Sequence, residues 1–581
     1  MKVSIMCICV SLLLCVEAFS QDTTKKKNPF SISGNMGVTY EGYGLNVNPS
    51  GSGIYSPRRP WNQLRFQFQP TMKWGKNFTL PFNINIAAIP TNFAGPFSGF
   101  VSGGPGQTIG QWLMNPMNNI GLNPKYKWAE LQLGTQYLKY SDLSTGDIGV
   151  FGAGFDLRPG DFLIKFFTGT SQPGIDYIPP PGSPPGITGA YKRTHWMFQL
   201  GKEKEGKYKT AFTFAKGIDK VNSVTSPPLT TLPQESFVLS FLLDKYFNKG
   251  WYFKTELAQG FYTADVNAPL SPTSLSFKPF IDARTSTIRD FAAEGSIGKK
   301  STSYDIGAAV KYIGAGFKTT GYPFMQPDHL DYTVNTRFSA WQNKMNVIAS
   351  VGGRKNNLSN TTLASDQFIA NINWFTQFTN QFNVNINYNN FGFQAGSSTS
   401  IFGVKNVSND LSINPTYTWT TKTMNHLLSL NYSYSKYKER LLVAPFTITD
   451  NNTHTAILTY VPVYFNKEIT PDFSVMYFNN TIPTVKNKLF TISSSLGMPM
   501  AKKKVQLRGQ LQYTLGKINT FTANNNFIAS CNIDCKLNKK LSWNNFLSTN
   551  YFKYGNELGS LPLVGANYLE SNIRTGLQYK F

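Results

Sequence analysis

Four histidines, His195, His329, His426 and His454, are the residues best suited to proton-transfer chemistry in this chain. A hydrolase acting on acyl bonds needs an imidazole within reach of a serine, and a protease that activates water needs an Asp–His pair. His329 comes nearest to such a pattern: Asp328 and Asp331 flank it, and Pro323-Phe324-Met325-Gln326-Pro327 leads into it. A loop histidine beside an aspartate is ordinarily just solvated, so no catalytic residue is assigned. His195 and His426 fall in or near the alternating segments 194–200 and 427–434, where packing is the simpler account. The sequence predicts no enzymatic activity, no metal and no cofactor.

Of five cysteines, Cys7, Cys9 and Cys15 lie in an apolar leader, leaving Cys531 and Cys535. Residues four apart in a strand are separated by about 13 Å, beyond the roughly 7 Å Cα limit for a disulfide, so both are expected to be free thiols. They share a parity with Phe527, Ala529, Ile533 and Leu537 and belong on an apolar face.

The elements that must position these side chains are strands. Alternation recurs along the chain, as in Leu64-Arg65-Phe66-Gln67-Phe68-Gln69 and Phe382-Asn383-Val384-Asn385-Ile386-Asn387-Tyr388, and period two with one apolar face means β-structure. Charged residues are 15% and aromatics 14% of the chain, the balance expected when one face of most strands meets lipid. Residues 1–20 read as an export signal, with Lys2, an apolar run over residues 3–16 and a small-residue site at Ala18-Phe19-Ser20. Leu14, before Cys15, is too large for a lipobox. The mature chain then divides into a short segment, 21–29, and a single barrel, 30–581.

Short and long connections alternate. The short ones fall at 75–77, 128–129, 158–160, 201–206, 248–250, 298–300, 342–344, 379–380, 420–422, 466–467, 501–504 and 538–540. Long ones rich in Pro, Gly and Ser include 48–60, 90–120, 171–190, 223–233 and 264–289. Twelve short breaks make twelve hairpins, or 24 strands, and a first and a last strand bring the expectation to 26, within a range of 22–26. The fold class is thus an all-β, transmembrane, antiparallel up-and-down barrel with short periplasmic turns and long outer loops. An even strand number puts both termini in the periplasm. Trp74, Trp128 and Trp419 each close a Pro-x-x-x-Trp repeat before a short break and are expected in the periplasmic aromatic girdle.

The last eight residues, Arg574-Thr575-Gly576-Leu577-Gln578-Tyr579-Lys580-Phe581, resemble the C-terminal signal of Gram-negative outer-membrane barrels. Gly576, Tyr579 and Phe581 carry the pattern. The resemblance implies recognition by the barrel assembly machinery and residence among outer-membrane lipids. Residues 121–160, with Asn-Pro-Lys-Tyr-Lys-Trp at 123–128 and Phe-Gly-Ala-Gly-Phe-Asp-Leu-Arg-Pro-Gly at 151–160, resemble large outer-membrane barrels of Bacteroidota, a likeness that implies a membrane and no activity.

The net charge is +24. Fifteen lysines at the short turns and their flanks (76, 202, 204, 207, 249, 299, 300, 344, 422, 467, 502–504, 539 and 540) stand against Glu203, Glu205 and Glu468, so twelve of those charges form a periplasmic collar. Such a collar suits lipid phosphates or an acidic periplasmic or lipoprotein partner; an exported barrel excludes nucleic acid as a routine partner. Arg65, Glu130, Glu256, Arg337, Arg508 and Arg574 have lumen parity, with Glu41 as a further acidic counterpart. About nine residues precede the first strand, too few for the plug of an energised receptor. About 16 to 18 strands already enclose water, so infolded loops such as 90–120, or a second protein, must occupy so wide a lumen. Two functions follow: a porin-like channel for small polar solutes, narrowed by its own loops, or a scaffold or secretion conduit gated by a partner at the collar.

Overall fold

A computed structural model describes residues 29–48, 59–88, 113–114, 118–146, 148–177, 189–271, 277, 279–360, 364–395, 404–441, 450–555 and 567–581. The export signal, nearly all of segment 21–29 and most of loop 90–120 lie outside them. The described chain forms 27 strand segments in one antiparallel sheet. Two of these, Asn119–Leu122 and Lys125–Tyr126, occupy a single position between Phe78–Ala88 and Ala129–Leu138. Pro124, which lacks an N–H, lies in the gap between them. The wall therefore has 26 staves, the number counted from the turns.

The sheet closes on itself. The first strand, Phe30–Asn48, pairs with Asn62–Trp74 on one side and with the last strand, Asn567–Lys580, on the other, from Asn35↔Lys580 to Asn48↔Asn567. The main-chain N–H of Phe581 donates to the carbonyl of Gly34 at 3.0 Å. Twelve short connections join consecutive strands at the end where Phe30 begins and Phe581 finishes; the one expected at 298–300 falls three residues later, at Ser301-Thr302-Ser303, since 298–300 still belong to Thr287–Lys300. Among the described residues no helix is long and apolar enough to cross a membrane.

Each strand turns its apolar parity outward. Leu511, Tyr513 and Leu515 are exposed on one strand, as are Leu569, Ile573 and Leu577 on the last. In lipid that exposed band is the favourable surface. Near the short turns it broadens into rings: Trp74, Trp128, Trp251 and Trp341 are exposed there, with Phe162 and Phe247. Collar lysines lie over several of the rings, Lys202 at 4.9 Å from the Phe162 centroid, Lys299 at 5.8 Å from Trp251 and Lys540 at 5.8 Å from Tyr579. Cys531 and Cys535 are free and share the outward parity of the exposed Phe527 and Ile533.

Deleting residues 574–581 removes seven of the fourteen residue pairs that join the first and last strands. The expected outcome is loss of the closed barrel, read as loss of the heat-modifiable, fast-migrating band in electrophoresis without boiling.

Candidate functional site: the loop-filled half of the lumen

Strands spaced by about 4.8 Å and tilted by about 40° would place opposing backbones roughly 50 Å apart in a circular 26-stave barrel. Wall side chains cannot fill that width. On one side, connections from the outer end do.

Residues 139–146, between Ala129–Leu138 and Ile148–Leu157, fold inward as a turn held by its own hydroxyls. The N–H of Tyr140 donates to Thr145 Oγ1 (2.9 Å), the N–H of Ser144 donates to Ser141 Oγ (3.2 Å), and the Ser141 and Ser144 hydroxyls are 2.5 Å apart. Hydroxyls thereby substitute for a ladder partner, which is what lets backbone leave the wall without orphaned polar groups. Gln199 binds the Tyr140 carbonyl (2.9 Å) and Ser240 approaches Ser141 (3.3 Å) from the wall.

A second connection, 314–328, descends beside the first. Its Gly321 carbonyl accepts from the Gly146 N–H (2.9 Å), and Thr319 Oγ1 donates to the Ser144 carbonyl (3.3 Å). Thr320 is fixed to Ser236 by the main-chain N–H (2.9 Å) and by the paired hydroxyls (2.7 Å). Between the loops and the wall lies an apolar layer of Leu143, Val238, Ala258, Ala292, Ile313 and Phe317. Leu143 and Phe317 are fully buried, and each contributes about 1.5–3 kcal/mol to offset the ordering of its loop. A third connection, between Trp251–Thr263 and Thr287–Lys300, adds Phe280 and Ile281 against Phe237, Phe261, Trp196 and Phe214. The Phe237 and Phe280 rings stack at 4.8 Å, and Lys216 Nζ, paired with Glu235 at 2.8 Å, also donates to the Phe280 carbonyl at 2.6 Å.

Beside this layer is a cavity of about 560 Å³ whose lining includes nine charged residues: Lys139, Lys209, Lys254 and Lys311 with Asp142, Asp244, Glu256, Glu294 and Asp331. Lys139 pairs with Asp142, and Lys311 with Glu294 at 3.3 Å. The Asp142 N–H donates to the Glu256 carboxylate at 3.0 Å. Burial pushes the Asp142 carboxyl upward, but the hydrogen bond and charge of Lys139, aided by Lys311, outweigh it and hold the group below its ordinary value. The same hydrogen bond to Asp142 raises Lys139.

The six charged residues expected to face the lumen are spread round the wall and form no single cluster. Arg65 meets Glu41 (3.8 Å), Arg508 meets Asp472 (3.8 Å) and Glu130 meets Lys125 (3.9 Å). Arg574 lies over the Phe546 ring (5.5 Å), Arg337 stands opposite Asp305 and Ile348 in register, and Glu256 alone lines the cavity. Trp74 packs on Phe30 (5.4 Å). Trp419 stacks on His426 (4.7 Å between centroids), whose Nδ1 is 2.8 Å from the Tyr460 hydroxyl. Gly576 stands opposite Thr39, and Tyr579 and Phe581 meet edge to face at 5.2 Å.

The histidines do not assemble a triad. His329 is buried, 3.7 Å from Asp331, but Asp331 is taken by a bidentate contact with Arg354 (2.6 and 2.7 Å). Asp328 instead caps the loop at Ser359 (3.1 and 2.6 Å). His195 is also buried, with Nε2 2.9 Å from Ser171 Oγ, a serine–histidine contact that the sequence reading missed. Among the described residues no carboxylate hydrogen-bonds to His195, and no group of His, Cys, Asp and Glu could hold a metal ion.

The turn at 139–146 was also missed, and for the loop that ends at His329 the inward course was not foreseen. Residues 139–146 are too few to read as a long loop, and Gly314, Gly316, Gly321, Pro323 and Pro327 mark 314–328 as a loop without recording where it packs. The signal lay in the strands they cover: Ser236-Phe237-Val238-Leu239-Ser240-Phe241-Leu242-Leu243 is apolar at both parities, as a strand buried on both faces must be.

The fold is therefore that of an outer-membrane-type β-barrel with a lumen filled on one side by its own loops. No protein-family model matches the chain, and no curated protein does. Among solved structures it is similar to a mutant form of the ferric enterobactin receptor PfeA of Pseudomonas aeruginosa (10% identity, 94% of this chain and 80% of that one, TM-score 0.41). It is similar also to the FrpB iron transporter of Neisseria meningitidis (11%, 94% and 82%, TM-score 0.37) and to the translocation pore of the P pilus usher PapC (9%, 95% and 99%, TM-score 0.37). Likeness at this level bears on neither solute nor mechanism.

Two outcomes are expected. Phe317→Ala empties a fully buried site, at a cost of about 3–5 kcal/mol; limited proteolysis should then cut within 314–328 while the barrel keeps its heat-modifiable migration. The Lys139–Asp142 pair favours the inward turn above the ordinary Asp142 value of 3.8, and that contribution is lost as pH falls below it toward the lowered folded value. For the raised Lys139 it is present below 10.5 and lost above. Hydrogen exchange in 139–146, once corrected for intrinsic rates, should therefore rise as pH falls below 3.8 and again as it climbs above 10.5.

Proposed function

We propose that the protein is a non-enzymatic outer-membrane channel for small polar solutes, with both termini in the periplasm and a lumen narrowed by its own loops. The observation that carries this reading is the one-sided filling of the lumen. Residues 139–146, 314–328 and the connection after Trp251–Thr263 occupy the side built from Ala129–Leu138 to His329–Ala340. Among the described residues, nothing comparable packs on the inner faces of the strands from Ser365–Gln377 onward. Arg65, Arg337, Arg508 and Arg574, with Glu130, would line the water-filled space, whereas Glu256 is buried beneath 139–146; Gly576, Tyr579 and Phe581 would present the chain to the assembly machinery.

The second reading, a scaffold or conduit gated by a periplasmic or lipoprotein partner, draws on the lysines at the short turns. A partner docked there would be released by salt, because collar charges are exposed and screened within about a Debye length.

Purified, refolded protein in a planar bilayer should give stable single-channel steps with at most mild anion preference under a salt gradient. Absence of steps from a barrel shown to be folded would remove the channel reading and direct the search to collar partners.

A further inference from the structure

Eight consecutive strands, from Val404–Thr420 to Leu541–Lys553, carry unmatched positive charge on the face that meets lipid. Their outward parity is fixed by exposed apolar side chains such as Leu430, Leu458, Ile492, Leu515 and Tyr551. The same parity brings Lys436, Lys438, Lys486, Lys488, Lys517 and Lys553 to the end of the wall opposite Phe30 and Phe581, and all six are exposed. Within these strands the outward parity holds no Asp or Glu; Asp450 stands just before Asn451–Tyr464. None of the six lysines has an ion-pair partner among the described residues. By contrast, the outward Lys355, on an earlier strand, stands opposite Asp366 in register.

Lys488 and Lys517 are direct register partners at the end of an outward row that runs Tyr434, His454, Asn479, Lys488, Lys517. One step nearer the rim, Lys436 and Lys486 share the row Lys436, Asn452, Thr481, Lys486. Like charges directly opposite each other weaken a strand pair, and an anion held between them reverses the effect. Two residues further into the wall the face turns aromatic. The Tyr434 and His454 rings are 4.8 Å apart, His454 Nδ1 is 2.9 Å from the Tyr432 hydroxyl, and Phe490 and Tyr551 are exposed. Tyrosine rings at the end of a membrane wall sit at headgroup level, which sets the lysines at the height of headgroup phosphates. A cation on the lipid face costs little at that depth, and an ammonium offers three donors to phosphate oxygens. A soluble anion would be held by screened charge alone, whereas a lipid also covers the apolar surface of Phe490, Ile492 and Leu515 with its chains.

We infer that the outer end of this sector is a binding surface for a phosphate-bearing lipid of the outer leaflet, in an outer membrane the phosphorylated glycolipid anchor of lipopolysaccharide. Lys488 and Lys517 share one phosphate, and the acyl chains lie on the apolar face beneath. The inference takes from the reading above only the periplasmic placement of both termini and does not require an open channel.

The test is titration of the refolded protein in detergent with diphosphoryl lipid A, bound lipid being counted by native mass spectrometry. The same lipid stripped of its phosphates, and soluble dextran sulfate, serve as comparisons. Diphosphoryl lipid A should bind saturably, and the stripped lipid, with the same acyl chains, far more weakly. Lys488→Gln together with Lys517→Gln should weaken binding about twenty-fivefold, about fivefold for each lysine. Lys539→Gln together with Lys540→Gln, the same loss of charge at a short turn, should leave it unchanged. All four lysines are exposed, so both double variants should keep the heat-modifiable migration of a folded barrel. Equal binding of the stripped lipid, or equal weakening by the two double variants, overturns the lysine site. Displacement of lipid A by dextran sulfate at equal charge overturns the lipid in favour of a soluble polyanion. Thr520→Cys, at the outer end of Val505–Ile518, should react with a membrane-impermeant maleimide on whole cells; failure to react overturns the placement of the termini and the outer-leaflet assignment with it. Lipid binding by a folded barrel that does not conduct upholds the inference and removes only the channel.

Discussion

Hydrocarbon offers no hydrogen-bond partner to a peptide group, and the rest of this structure depends on that. Each N–H and C=O that crosses the membrane must find its partner in a neighbouring strand, so the sheet can have no edge. Phe30–Asn48 meets the requirement by pairing with Asn62–Trp74 and Asn567–Lys580 at once. Closure over 26 staves then sets a circumference, and with it a lumen far wider than side chains can span.

The width is resolved unevenly. Where 139–146 and 314–328 enter, the wall opposite is small or apolar, with Ala258, Ala292 and Val238 beneath Leu143 and Phe317. Gly146 has no room for a side chain, since a Cβ there would stand 2.7 Å from the Tyr322 ring. Backbone leaving the ladder is satisfied by Ser141, Ser144, Thr145 and Ser236. The dry layer concentrates charge at its margin, in the cavity holding Lys139, Asp142, Glu256 and Glu294. On the opposite wall, where none of the described residues forms such a cover, the inner face keeps many amides and hydroxyls of modest solvation cost.

Much of the plan was legible in the residues. The short turns, most of them carrying Gly, Asn or Lys, stand at or within a few residues of where turn chemistry puts them, and the strand number follows from counting them. The outward parity of Cys531 and Cys535 was equally readable, because side chains two apart share a face. His329 was harder. Its neighbours Asp328 and Asp331 were visible in sequence, but their true partners, Ser359 and Arg354, lie more than twenty residues further on and arrive only across strands. Ser171 and His195 meet in the same way.

The sequence by itself determined the strands, their two faces, the alternation of short and long connections and so the closed barrel, because these are encoded in spacing of two residues and in local turn chemistry. Only the tertiary structure decided which side of the lumen is dry, which carboxylates are claimed by which cations, and which loops leave the rim. Those outcomes depend on contacts between segments such as 139–146 and 314–328, separated by well over a hundred residues, and nothing in local spacing records which distant loop will cover a given face.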